Sequence, residues 1–161
     1  MSEPDLSPLA LAMGRIPTGL YVVTSTSEGA PLGFVGSFLM QVGFEPPTVC
    51  VAVGKGRDHL DAMRASGRFA VSILDGPSSK IMGAFFKKYE GGETAFDHVE
   101  HAAAPDGGPP VLSGALAWLS CRVTGEHETG DHVVVFGEVT DAAPAREGDP
   151  SVHLRKNGLA Y

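Results

Sequence analysis

Cysteine is nearly absent. Cys50 and Cys121 are the only two in 161 residues, and each sits inside an apolar run. They read as buried free thiols rather than as a disulfide framework or a metal pair. Among the six histidines no CxxC or HxxxH spacing occurs, so the zinc signatures are missing. His98 and His101 lie beside Asp97 and Glu100, but a solvated loop accounts for that polarity, and no metal site is expected. Positive charge is also scarce. Twelve Lys and Arg against 19 Asp and Glu leave a formal net charge of −7. Such a chain repels nucleic-acid phosphates and anionic lipid, so neither is an expected partner. No apolar run is long enough to span a bilayer, and Met1-Ser2-Glu3-Pro4-Asp5 has no basic leader character, so the expected location is the cytoplasm. No GxGxxG opens a helix after a strand, which argues against a Rossmann domain.

Apolar residues, by contrast, make up 43% of the chain and charged ones 19%, an ordinary composition for one packed domain over residues 1–161. Asp5 or Ser7 is positioned to cap an opening helix, with Leu6, Leu9, Ala10, Met13 and Ile16 on one face and Pro17 ending it. Gly19 to Ser25 reads as a strand, Glu28-Gly29 as a turn, and Pro31 to Leu39 as a second strand. After the Pro46-Pro47 connection, Thr48 to Val53 is an unbroken apolar run expected to be buried on both faces. A helix from Asp58 to Ser66 closes at Gly67. Phe69 to Leu74 is a strand, and Gly76-Pro77-Ser78-Ser79 opens a helix to about Phe86. Lys87 to Pro110 shows no period and is expected to be a lid or an arm for a partner. Strands Leu116 to Thr124 and His132 to Thr140 form a final hairpin. Many strands with a few short helices point to a barrel that closes its own edges.

Gly130-Asp131-His132 opens directly into Val133-Val134-Val135-Phe136-Gly137-Glu138-Val139. A polar turn thus delivers a histidine to the mouth of an apolar strand, where an imidazole changes protonation near physiological pH. This turn and strand resemble those of the flavin reductase-like family, the FMN-binding split barrels. Other pieces match in the family's order: Gly19-Leu20-Tyr21-Val22-Val23-Thr24, Gly33-Phe34-Val35-Gly36-Ser37-Phe38 and Phe44-Glu45-Pro46-Pro47-Thr48-Val49. Gly67 to Leu74, Ala84-Phe85-Phe86-Lys87 and Ala115 to Cys121 complete the series, which covers about Met13 to Glu138. The resemblance implies a mainly β fold with short helices, a Greek-key FMN-binding split β-barrel, assembled as a homodimer. It implies a flavin reductase in which NADH or NADPH reduces FMN, or FAD, and electrons pass on to an acceptor such as a monooxygenase or oxygen. A flavoredoxin-like electron carrier with tightly bound FMN, or a non-catalytic flavin-binding barrel, also fits. The Gly130-Asp131-His132 turn speaks against a pyridoxamine-phosphate-oxidase-like use of the barrel.

A flavin needs a flat cleft for its ring and cations with free N–H groups for its phosphate. Gly33 and Gly36 let backbone approach a ring closely, and Ser37 and Gln41 offer hydrogen bonds. Val35 stands where the family often has threonine, so its contact is through backbone alone. Val53-Gly54-Lys55-Gly56-Arg57 leaves a strand for a helix whose first N–H groups lie near Asp58 and His59. Lys55, Arg57 and those N–H groups are the candidate phosphate site. Phe85, Phe86 and Lys87 match the family's segment for backbone contacts and a cation near the phosphate. His132 matches the family's histidine, implied to border the nicotinamide or flavin face and to steady charge on the reduced ring.

Overall fold

The computed structural model describes residues 6–160. Helix α1 (Pro8–Met13) begins at Ser7, whose hydroxyl accepts from the Ala10 N–H; Asp5, the alternative cap, lies outside the described residues. Nine strands follow: β1 (Tyr21–Ser27), β2 (Ala30–Gly36), β3 (Leu39–Phe44), β4 (Pro47–Gly54), β5 (Arg68–Ile73), β6 (His101–Ala103), β7 (Pro110–Leu112), β8 (Ala117–Glu128) and β9 (His132–Pro144). Helix α2 (Asp58–Ser66) lies between β4 and β5, and α3 (Ser79–Phe86) follows β5. Gly67 caps α2 with φ 68°, a left-handed conformation that glycine adopts without steric cost.

Seven strands form one antiparallel sheet in the order β2-β1-β5-β8-β9-β4-β3. Its two edge strands are consecutive in the chain, joined only by Ser37 and Phe38. Three Cα–Cα steps reach about 11 Å at most, so the sheet has to curl until its edges meet. The result is a barrel with one seam, the split barrel expected above. The second strand was expected to run unbroken to Leu39; it breaks instead at this seam. Placing β5 beside β1 and β9 beside β4 makes the Greek-key crossing.

Val23, Val51, Val53, Phe69, Val71 and Val135 fill the interior, and α2 sets Leu60 and Met63 among them. At Gly137 an added Cβ would stand 2.5 Å from the Phe69 ring, so β9 passes that ring only because it has no side chain there. β4 alternates rather than being buried on both faces. Val49, Val51 and Val53 point inward, while Cys50 and Ala52 line an outer groove. Cys50 is therefore half-exposed, and only Cys121 is fully buried, its thiol pushed up to about 12 by that burial.

β1, like its neighbour β5, is buried on both faces. Its outer side is covered by α3 and by residues 87–116, which carry a short 3-10 helix at Ala95–Asp97 and the β6–β7 hairpin. Phe96 is 7% exposed and packs edge-to-face on Phe85, with Val22, Leu74 and Leu112 around it. Phe96 of the Lys87 to Pro110 segment is consequently not held out for a partner. The segment closes a second core of its own chain, tied down where the Thr24 hydroxyl donates to the Pro110 carbonyl over 2.6 Å. The final hairpin runs longer than the sequence suggested, with only residues 129–131 left to turn. No helix among the described residues is long and apolar enough to cross a membrane.

Candidate functional site

The seam, the end of β4 and the end of α3 meet in a cleft of about 250 Å³ lined by residues 34–38, Ala52, Gly54, Arg57, Phe85 and Phe86. Three segments far apart in sequence are thereby joined as the flavin reading requires. Arg57 lies over Gly54, where a Cβ would come within 3.2 Å of its Nε. Among the described residues the Arg57 side chain makes no ion pair or hydrogen bond, whereas Lys55, Arg64, Arg68, Arg122 and Arg146 are each paired with a carboxylate. Arg57 is also the N-cap residue of α2, and no side chain caps that helix end. Asp58 is the first helical residue and lines a different groove with Thr26 and Glu28, not the cleft. Phe86, 70% exposed, forms an open aromatic wall, and Ser37 contributes a buried hydroxyl.

Several expected ligands stand elsewhere. Lys55 sends its ammonium to Glu128 at 3.1 Å and its N–H to the Asp131 carbonyl, which turns it toward the β8–β9 turn and away from the cleft. Gln41 lies on the exposed strand β3 and donates to the Gly43 carbonyl. The Val53 side chain is in the core. Gly33 owes its missing Cβ to Phe85 and Phe96, whose ring atoms would lie 2.6 Å and 3.0 Å from one. His59 rests against Phe34 with ring centroids 4.8 Å apart, so it supports a wall of the cleft from behind. Burial, then the nearby Arg57 charge, lowers its pKa and favours the neutral ring. Lys87 follows α3 in extended backbone and does not line the cleft.

His132 occupies an adjoining hollow of about 460 Å³ with Phe38, Asp131, Arg155 and Leu159. Its side chain is 15% exposed, against 92% for Asp131, so it is not a solvated turn residue. Nδ1 lies 2.8 Å from the Asp131 carboxylate, and the ring meets the Phe38 ring edge-on at 5.7 Å. That hydrogen bond holds the Asp131 carboxyl below its usual range. Phe38 borders both hollows, which makes the seam the wall between the ring cleft and the histidine.

Sequence reading missed Phe34, Phe38 and Arg155. Phe34 and Phe38 sit within the Gly33 to Phe38 segment, and their aromatic faces beside Gly33, Gly36 and Ser37 were the available signal. Arg155 carried none, because only the fold brings it to Ser37, 118 positions away. On the other side of the seam lies an apolar groove of about 680 Å³, floored by Cys50, Ala52 and Val134 and walled by Ile16, Met40 and Val152.

The chain belongs to the flavin reductase-like domain family, whose model matches residues 13–158. It is 36% identical over 157 residues to diflavin flavoprotein A 1 of Synechocystis sp., covering 96% of this chain and 27% of that protein. The chain thus spans about a quarter of the length of such relatives. It is 32% identical to FMN reductase (NADH) SmoA of Agrobacterium fabrum, over 86% of this chain and 76% of that one. Among solved structures, NADH:FAD oxidoreductase SgcE6 of Streptomyces globisporus C-1027 superposes with a TM-score of 0.83 at 30% identity, covering 96% of this chain and 92% of the other.

Proposed function

We propose that this domain is an NAD(P)H:flavin oxidoreductase that binds FMN in the seam cleft and hands electrons to an acceptor such as a monooxygenase or oxygen. The observation that carries the reading is Arg57, a cation with no partner among the described residues, at the mouth of a cleft floored by Ser37 and walled by Phe34, Phe38 and Phe86. A flavin, when bound, supplies the redox chemistry by accepting two electrons from a nicotinamide and releasing them again. The chain supplies the rest. Arg57 and the first N–H groups of α2 hold the phosphate. Backbone at Val35 and Gly36 and the Ser37 hydroxyl meet the polar edge of the ring. Phe86 and Phe38 exclude water from its faces. His132 borders the cleft through Phe38, and the Asp131 carboxylate at Nδ1 fixes the orientation of the imidazole, which suits a group that steadies negative charge gained by the ring. SmoA is named for FMN and NADH and SgcE6 for FAD and NADH, which supports a flavin and a nicotinamide as ligands here.

A homodimer is part of this reading. α1 buries only Ala10; its Leu9 and Met13, and Ile16 just after it, are exposed together with Met40, Val42 and Phe44 of β3. Ile16 and Met40 line the apolar groove, and a second copy laid over this face would remove these side chains from water. A cytoplasmic location accords with the two unpaired thiols.

Purified protein mixed with FMN and NADH or NADPH under anaerobic conditions tests the function. Bleaching of the flavin absorbance with either nucleotide supports it. FMN affinity weaker than about millimolar, roughly 4 kcal/mol of binding, would sink it. Bound flavin that only a reduced protein can bleach would replace the reductase with an electron carrier.

A further inference from the structure

Arg155 follows the last strand, yet it reaches the seam. Its Nη2 donates to Ser37 Oγ over 2.5 Å, and its guanidinium carbon stands 4.4 Å from the centre of the Phe38 ring. Phe38 in turn meets the His132 ring edge-on. One side chain from the tail therefore touches both seam residues and lines the histidine hollow.

The chemistry of the pair is directional. A guanidinium only donates, while a serine hydroxyl has one hydrogen to give and two lone pairs to accept with. Ser37 must accept from Arg155, and its single hydrogen is left to point elsewhere. Ser37 is buried and borders the ring cleft. A hydroxyl fixed in this way offers a donor to the carbonyl oxygens on the pyrimidine edge of a flavin. The guanidinium also places fixed positive charge beside a ring that becomes more negative on reduction. In a cleft shielded from water such a charge acts more strongly than it would in bulk solvent.

The tail does not depend on Arg155 for its position. The Thr18 and His153 backbones exchange two hydrogen bonds of 3.0 Å and 2.7 Å. Asp75 pairs with Arg146, and the Gly158 N–H donates to the Ala10 carbonyl. Gly158 packs so closely on Met13 and Gly14 that a Cβ would lie 2.4 Å from either. A change at Arg155 thus alters the charge and the hydrogen bond while these anchors remain.

We propose that Arg155 is a positioning residue of the flavin site: it orients the Ser37 hydroxyl as a donor to the ring and fixes Phe38 between the ring cleft and His132. The proposal rests on the flavin reading above and adds a residue to it.

The test compares wild type, Arg155→Met, Arg155→Lys, Ser37→Ala and the double variant Ser37→Ala with Arg155→Met. FMN and riboflavin dissociation constants are read by fluorescence quenching, and the reduction midpoint of bound FMN by spectroelectrochemistry. Arg155→Met is expected to weaken FMN and riboflavin equally, by about tenfold, because the lost contact is at the ring and not the phosphate. The midpoint should move to a more negative potential, and Arg155→Lys should recover part of that shift by restoring charge without the fork. The double variant should lose little more than either single one, since both remove the same contact. Losses that add in full, or a loss for FMN alone, would overturn the assignment of Arg155. So would an Arg155→Met midpoint identical to wild type. Tighter FMN binding by Arg155→Met would overturn it too, by showing that the tail competes for Ser37. Thermal unfolding of each variant identifies any that is misfolded, and Arg155→Lys then carries the comparison. Wild-type protein without FMN affinity overturns the flavin reading itself, whereas wild-type affinity with any of the adverse results overturns Arg155 alone.

Discussion

Gly54 and His132 are register partners across β4 and β9. The last residue before the candidate phosphate loop thus sits opposite the first residue of the strand that follows the histidine turn. The Lys55 N–H bonded to the Asp131 carbonyl continues this ladder by one step. The candidate phosphate loop and the histidine lie at the same end of one strand pair, so a disturbance of the β8–β9 turn reaches both.

Replacing His132 with alanine should slow flavin reduction by NAD(P)H about tenfold to a thousandfold while leaving FMN affinity nearly unchanged. A group aimed at developing charge acts mainly in the transition state. Stopped-flow reduction with excess nucleotide measures it; a rate within about twofold of wild type would leave His132 only a structural role beside Phe38.

Arg57→Ala should weaken FMN by about tenfold to a hundredfold and riboflavin hardly at all, because riboflavin has no phosphate. Lys55→Ala should change neither affinity beyond about twofold, since its partner is the exposed Glu128 and such surface pairs contribute little. Parallel fluorescence titrations decide. Equal loss of both flavins on removing Arg57 would place the phosphate elsewhere.

Much of this arrangement was legible in the chain. Asp58 to Gly67 announced α2 and its cap, and the Val-rich run after His132 announced β9, because both rest on local propensity and turn chemistry. The break at Ser37-Phe38 was not legible, since apolar residues continue through it and only barrel closure requires a corner there. β4 reads as a strand buried on both faces because its outward Cys50 and Ala52 are apolar, and they face a groove and not solvent. In the phosphate loop Lys55 and Arg57 look equivalent. Only the pairing of β4 with β9 shows that one reaches Glu128 and the other the cleft. The Lys87 to Pro110 segment looked like an arm because the core that Phe96 joins is assembled from elements distant in sequence.

Gly137→Ala should destabilise the fold by about 1–3 kcal/mol, the usual result of overpacking a filled interior. Its Cβ would press on the Phe69 ring and on the Cys121 Cβ, 3.0 Å away. Urea unfolding of the apoprotein tests this, and a stability equal to wild type would show that β9 can shift away from Phe69.

Acid should unfold the protein through Asp106 and Asp75. Burial alone would raise the Asp106 pKa, but hydrogen bonds from Thr140, Ser120 and Arg68 outweigh it and hold the carboxyl at about 2, below its ordinary 3.8. Asp75 is lowered chiefly by its hydrogen bonds from Arg146. A group depressed in the folded state stabilises fully above its unfolded pKa, and that contribution is lost as pH falls through the folded value. Urea midpoints should therefore drop between about pH 4 and pH 2. Asp106→Asn should be less stable at neutral pH and lose less across that window; an unchanged acid slope would show that Asp106 takes no part.

Met40→Glu should convert a dimer to a monomer, because it places a charge on the exposed apolar strand β3. Sedimentation equilibrium at micromolar concentration reads the change. A wild-type monomer with undiminished flavin affinity would refute both the dimer and any need for it at the site.

The strand order also dictates when the molecule can fold as it is made. β4 is complete once residue 54 has been synthesised, yet its inner neighbour β9 is not available until residues 132–144 exist. Until then β4 has no strand partner but β3, and its other hydrogen-bonding edge stays open. Such non-local pairing is slow and leaves apolar strands open to association. A nascent chain halted before His132 should thus be readily cleaved by protease and bound by chaperones. The β8–β9 hairpin supplies the strand that joins β3 and β4 to the rest of the sheet, and the same hairpin delivers the histidine.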